Sequence, residues 1–122
     1  MSEAAVNATF VALADPTRRG VVELLRRGPL RAGELSDALD MNKPALTRHL
    51  RVLRESGLVR EAGLDDDARV RVYSLRRAAF TDLRTWLDDI ESTWTLQLDS
   101  FKQHAERTRG KKKSPRTGQR ND

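Results

Sequence analysis

The sequence predicts a mainly α-helical chain carrying one small β-hairpin. Three observations predict it. Apolar residues recur at spacings of three and four along most of the 122 residues. Two β-runs, Leu58 to Ala62 and Arg69 to Leu75, flank the polar stretch Gly63-Leu64-Asp65-Asp66-Asp67, as in a hairpin with a longer loop. Between Leu30 and Leu75 the elements come in the order short helix, tight turn, basic helix, strand pair, which is a helix-turn-helix followed by a wing.

Each element has a local reason. The first helix spans Ala4 to Leu13 and turns Val6, Phe10 and Leu13 inward. Asp15-Pro16 restarts the chain: Asp accepts free amide N–H groups as an N-cap, and Pro at the first helical position loses nothing. The second helix runs to about Arg27 and buries Val21, Val22, Leu24 and Leu25; Arg26 and Arg27 lie in its last turn, where the dipole favours cations, and Gly28-Pro29 stops it. Gly20 inside it costs about 1 kcal/mol relative to Ala, and nothing in the sequence explains its presence. A third short helix covers Ala32 to Leu39, with Leu35, Ala38 and Leu39 inward. Asp40-Met41-Asn42 is the turn, Asn42 caps the fourth helix, Pro44 fits its first turn, and Gly57 stands where a left-handed residue is wanted after Ser56. The last helix runs from Phe80 to Phe101. Phe80, Leu83, Leu87, Ile90 and Trp94 form a heptad-like seam, resumed at Leu98 and Phe101, that is too apolar for a helix lying alone on a small domain and asks for a partner helix. From about Arg107 onward nothing apolar appears, so residues 1–106 read as one domain and 107–122 as a basic disordered tail.

Composition excludes several classes. No apolar run approaches the roughly 20 residues of a membrane helix. Zero cysteines exclude disulfides and thiolate metal sites. No signal-peptide pattern is present at the N-terminus, where Asn7 and Thr9 interrupt a short apolar run, so the cytoplasm is the expected location. No glycine-rich phosphate loop and no histidine paired with a nucleophile is visible, so the chain reads as a non-enzyme with no cofactor. The net charge of +5 is unevenly placed: 107–122 carry +6 and the rest −1. Within the domain, Lys43 to Arg60 sum to +4, Ala68 to Ala79 to +4, and Phe80 to Glu106 to −4. Basic charge gathers on the helix-turn-helix and the wing, which is the footprint of a polyanionic partner.

The basic helix has two faces. Leu46, Leu50 and Leu53 make one apolar stripe; Lys43, Thr47, Arg48, Arg51 and Arg54 lie off it. A helix docked by one side that offers Arg, Lys and Thr on the other suits the major groove of double-stranded DNA. Asn42, Lys43, Thr47, Arg48, Arg51 and Arg54 are its candidate contacts, with Arg69 and Arg71 bracing the wing on the flanking backbone and Thr17 and Arg18, at the start of the second helix, adding a phosphate contact. The three aspartates at the wing tip repel phosphate, so the returning strand is the better contact. His49 reads as packed beside Leu50 and Leu53, and Asp82, Asp88, Asp89, Glu91 and His104 as a solubilising face rather than metal ligands.

Ala12-Leu-Ala-Asp-Pro-Thr-Arg-Arg19, Gly33-Glu-Leu35, Met41-Asn-Lys-Pro-Ala-Leu-Thr-Arg-His-Leu-Arg-Val-Leu53, Ser56-Gly-Leu-Val59 and Arg71-Val-Tyr-Ser-Leu75 together resemble the ArsR family of bacterial winged-helix repressors, in its metal-independent, autorepressor-like branch. The resemblance covers roughly residues 4 to 101. It implies a homodimer built from the first and last helices, which puts Val6 and Phe10 with Phe80, Leu83, Leu87, Ile90 and Trp94 at the interface. It also implies two recognition helices in successive major grooves and repression by promoter occlusion, relieved by a signal the sequence does not name. The third helix lacks the cysteine pair of the metal-sensing members, and the last helix lacks the Asp and His pairs of others. Two other readings stay open: a winged-helix module whose basic face binds an acidic protein, and a small-molecule- or metal-gated sensor.

Overall fold

The computed structural model describes residues 2–64 and 67–109. Residues 107–109, expected in the disordered tail, are the last residues of a helix; the wing tip at Asp65-Asp66 and the tail beyond Arg109 lie outside the described residues, and with them the expectation of a phosphate-repelling tip and the rest of the tail. The elements follow one another as α1 (Glu3–Leu13), α2 (Pro16–Leu25), β1 (Leu30–Arg31), α3 (Ala32–Leu39), α4 (Lys43–Glu55), β2 (Val59–Leu64), β3 (Asp67–Leu75) and α5 (Arg77–Arg109). A first compact unit ends at Trp86 and a second begins at Leu87, inside α5.

In the first unit α1 is capped by Ser2, whose Oγ accepts the Ala5 N–H at 3.1 Å. The helix buries Val6 as the apolar pattern suggests and half-buries Leu13 against the core, but its other buried positions are Thr9 and Ala12, not Phe10. Small residues let α1 lie close to its neighbours, and Thr9 is tolerated inside because its hydroxyl donates to the Ala5 carbonyl at 3.1 Å. Phe10 stays 40% exposed. Its ring meets that of Trp86 edge-on, with centroids 5.2 Å apart and planes at 72°.

The Asp15 cap is present: its Oδ1 accepts the N–H of Thr17 at 2.7 Å and of Arg18 at 3.2 Å. The second helix stops at Leu25, short of the expected Arg27, because Gly28 takes φ 143, a conformation that side-chain-bearing residues rarely adopt. Gly20 also finds its explanation here. A Cβ on it would stand 3.2 Å from Leu39 Cδ2, so its absence lets α2 and α3 approach closely. In α3 Leu35 is fully buried and Leu39 partly so, but Ala38 is exposed; a two-turn helix has room for only a narrow inward stripe.

Two-residue β1 was not foreseeable from periodicity. It adds a third strand on the far side of β3, giving the antiparallel order β1-β3-β2. Leu30 faces Tyr73 in one ladder; Glu61 faces Tyr73 and Gly63 faces Arg71 in the other. The hairpin ladder runs further toward the tip than its polar sequence suggests, with Leu64 paired to Asp67 across a shift at Gly63/Leu64. Backbone hydrogen bonds extend such a ladder whatever the side chains outside it.

The core gathers Ala12, Val21, Leu25, Leu35, Leu46, Leu50, Leu53, Leu58, Val59 and Tyr73, with Ala79 and Phe80 of α5 packed against it. Burying each leucine is worth about 2 kcal/mol before the loss of side-chain entropy. The last helix starts three residues earlier and ends eight later than its apolar seam. Its flanks, Arg77-Ala-Ala79 and Lys102 to Arg109, are rich in good helix formers that periodicity does not register. No described helix is long and apolar enough to cross a membrane.

Candidate nucleic-acid interface

The site is built on the turn between α3 and α4. Asp40 takes φ 52 as the left-handed cap of α3. Ser36 ties the turn twice, its carbonyl accepting the Met41 N–H at 3.1 Å and its hydroxyl donating to the Met41 carbonyl. Asn42 then caps α4 as expected, Oδ1 accepting the Ala45 N–H at 2.9 Å. Leu46, Leu50 and Leu53 are all buried, so one stripe of α4 is committed to the core. Asn42, Lys43, Thr47, Arg48, Arg51 and Arg54 are all exposed. With 100° between successive residues, Arg48 and Arg51 point most directly away from the leucines. The helix ends in a Schellman turn: Gly57, φ 82, donates to the Arg54 carbonyl and Leu58 to the Leu53 carbonyl, each at 3.0 Å. That turn sets the angle at which β2 leaves the reading helix.

Thr17 and Arg18 sit at the start of α2, and the Arg18 side chain turns back toward α1. The Arg18 side chain is only 14% exposed. Its Nε donates to the Ala12 carbonyl at 2.7 Å and one terminal nitrogen to the Val11 carbonyl at 3.1 Å, so it neutralises the C-terminal end of α1. The other terminal nitrogen lies 3.3 Å from His49 Nδ1 and 3.9 Å from an Asp15 oxygen. Arg18 therefore clamps α1 to α4 instead of projecting outward. His49 is partly buried, and its Nδ1 partner comes from α2, not from a neighbour in its own helix. Sequence reasoning missed this contact because the two residues are 31 apart.

On the wing, Arg69 and Arg71 are exposed on β3. Glu61, which sequence reasoning left unassigned, receives Arg54 Nη1 at 3.1 Å and the Tyr73 hydroxyl at 3.1 Å, and lies 3.7 Å from Arg71 Nε. Burial, and next the negative charge of Glu61, push the Tyr73 phenol above its ordinary 10.0, so it stays a donor. The reading helix and the wing strand are thereby joined through one carboxylate.

The residues expected at a dimer interface divide between the two units. In the first, Val6 is buried inside, Phe80 and Leu83 are half-buried, and Phe10 is exposed. In the second, Leu87, Ile90, Trp94, Leu98 and Phe101 are 47–70% exposed along one side of the helix. Among the described residues no three of His, Asp and Glu gather as a metal-ligand set.

Residues 15–61 match the family described as "Bacterial regulatory protein, arsR family". The chain is 43% identical over 94 residues to the HTH-type transcriptional regulator Rv2034 of Mycobacterium tuberculosis, covering 75% of this chain and 80% of that protein. It is 28% identical over 82 residues to the transcriptional repressor SdpR of Bacillus subtilis, covering 67% of this chain and 88% of that protein. Among solved structures, an ArsR family transcriptional regulator, RHA00566, superposes with a TM-score of 0.69 at 35% identity, covering 78% of this chain and 95% of the other.

Proposed function

The chain belongs to the ArsR family and is a DNA-binding transcriptional regulator, and from that premise we propose that it acts as a homodimeric repressor that seats two copies of α4 in successive major grooves of an inverted repeat. The exposed basic face of α4, locked in orientation by its three buried leucines, carries this reading. Arg48 and Arg51 reach base edges; Arg is the side chain best suited to the paired acceptors of guanine. Asn42, Lys43 and Thr47, near the helix start, meet bases or phosphates as the helix enters the groove. Arg54, Arg69 and Arg71 lie on the flanking phosphates. Thr17 stays at the protein–backbone margin, whereas we assign Arg18 to the clamp on α1. The dimer uses the exposed seam from Leu87 to Phe101 and, in the first unit, Phe10, Phe80 and Leu83; Val6 supports α1 from inside. Occupying a promoter in this way excludes polymerase, which is repression without any cofactor.

The experiment is a footprint of the purified protein on the promoter of its own gene, followed by transcription from that promoter in vitro. A protected near-palindrome with half-sites about one helical turn or a multiple of it apart, and less transcript as protein is added, is the expected result. Protection of a single, non-repeated site would defeat the dimer; more transcript would defeat the repressor.

A further inference from the structure

Glu61 is the one acid of β2 and stands where the reading helix meets the wing. It faces Tyr73 across the ladder, and Arg71 lies two residues before Tyr73, so the three side chains share one face of the sheet. The carboxylate divides its oxygens: Oε1 accepts from Arg54 Nη1 at 3.1 Å, while Oε2 accepts from the Tyr73 hydroxyl at 3.1 Å and faces Arg71 Nε at 3.7 Å. Glu61 is recessed, its side chain 23% exposed, whereas those of Arg54 and Arg71 are 40% and 52% exposed. Ion pairs this open to water add little to stability. What the arrangement does is hold two long side chains from different elements with their heads together and outward.

We infer that Glu61 is a positioning residue for DNA recognition: it sets Arg54 and Arg71 as a two-armed clip for one backbone phosphate at the junction of helix and wing, and its charge restrains the clip from gripping DNA of any sequence. This rests on the reading of α4 and β3 as DNA-contacting elements. Two guanidinium groups against one carboxylate leave a single net positive charge, matched to a single phosphate. Arms already ordered by Glu61 lose less rotamer freedom when that phosphate arrives. With Glu61 in place any phosphate meets one net positive charge here and not two, which weakens attraction to every duplex, and only a phosphate seated between both ordered arms regains the loss by accepting from both guanidinium groups.

The test is Glu61→Gln in the full chain, with anisotropy titrations of the footprinted operator and of a scrambled duplex of equal length over a range of salt. The scrambled duplex should bind about 3- to 10-fold tighter at low salt, with the slope of log K against log salt steeper by about 0.9, the mark of one more neutralised phosphate. The operator should gain less, so the operator-to-scrambled ratio falls several-fold. A merely structural role would weaken both duplexes alike and leave the slope where it was; that result, or an unchanged ratio, overturns the clip. Should Glu61→Gln fail to fold, Tyr73→Phe, which removes only the hydroxyl that holds the carboxylate, should shift slope and ratio the same way by less. Arg54→Gln and Arg71→Gln decide independently. Sharing one phosphate, the double variant loses little more than the worse single one, and fully additive losses overturn the proposal. Absence of operator binding by the wild type would sink the DNA reading itself and the clip with it; wild-type binding with an unaltered ratio in Glu61→Gln sinks only the clip.

Discussion

A methyl group added at Gly20 would stand 3.2 Å from the far end of the Leu39 side chain, tight but against an atom that can swing aside. Gly20→Ala recovers about 1 kcal/mol of helix propensity at the cost of a small shift of Leu39, so a net gain of a few tenths of a kcal/mol is expected. Gly20→Leu cannot be absorbed in this way and should cost about 1–3 kcal/mol. Urea denaturation measures both; equal stability of the two variants would show that the α2–α3 approach is looser than described. Asp15 offers a second test on a single side chain. The N–H of Arg18, donated to its Oδ1, holds the carboxyl below its ordinary 3.8 against the upward pull of desolvation. With the folded value below the unfolded one, the charged cap's contribution is fully present above about pH 3.8 and is lost as pH falls through the lower folded value. Asp15→Asn keeps an acceptor but has no charge to lose. The wild type should therefore melt higher than Asp15→Asn near neutral pH, and the gap should close as pH falls through the lowered folded value. A gap that stays constant would mean the charge contributes nothing.

At the scale of elements, α4 and β3 are given different tasks, and mutants can separate them. Arg48 points away from the leucine stripe and is assigned to a base, so Arg48→Ala should cost about 1–3 kcal/mol on the operator and relax the preference at one base pair per half-site. Arg69 on β3 is assigned to a phosphate, so Arg69→Ala should weaken all sequences alike and reduce the salt slope by about one. A panel of single-base operator variants titrated with each mutant makes the comparison. If both bind every duplex as tightly as the wild type does, α4 and β3 are not the reading surface. The clamp at Arg18 adds a link between elements. It ties the end of α1 to His49 on α4, so the angle of the reading helix depends on the placement of α1.

For the whole molecule, the seam on the second unit is the decisive feature. Leu87, Ile90, Trp94, Leu98 and Phe101 leave large apolar surfaces in water along one side of a helix, and each would gain about 1–2 kcal/mol from burial against a second copy. Replacing Leu87 and Ile90 together by Glu should leave the first unit folded and shift the chain to monomer at micromolar concentration, with loss of operator binding because one half-site alone is held weakly. Sedimentation velocity and circular dichroism measure the two effects. A wild type that sediments as a monomer at that concentration, or a double variant that remains dimeric, would remove the seam from the interface.

The sequence by itself determined the order of the five helices and the hairpin, the caps at Asp15, Asn42 and Gly57, and the face of α4 that carries arginine. Each depends on residues within a turn or two of one another, where propensity, capping chemistry and the 3.6-residue period act directly. Tertiary structure decided the rest. The first helix buries Thr9 and Ala12 while Phe10 remains largely outside, because close approach of helices favours small residues over merely apolar ones. Two-residue β1 exists only because β3 offers it a ladder. Gly20 is explained by Leu39, nineteen positions on, and Arg18 became a clamp because the end of α1 and His49 converge on it. Glu61, unassigned by any pattern of spacing, became the meeting point of Arg54, Arg71 and Tyr73. Those contacts depend on distances in space between residues far apart along the chain, and no local periodicity encodes them.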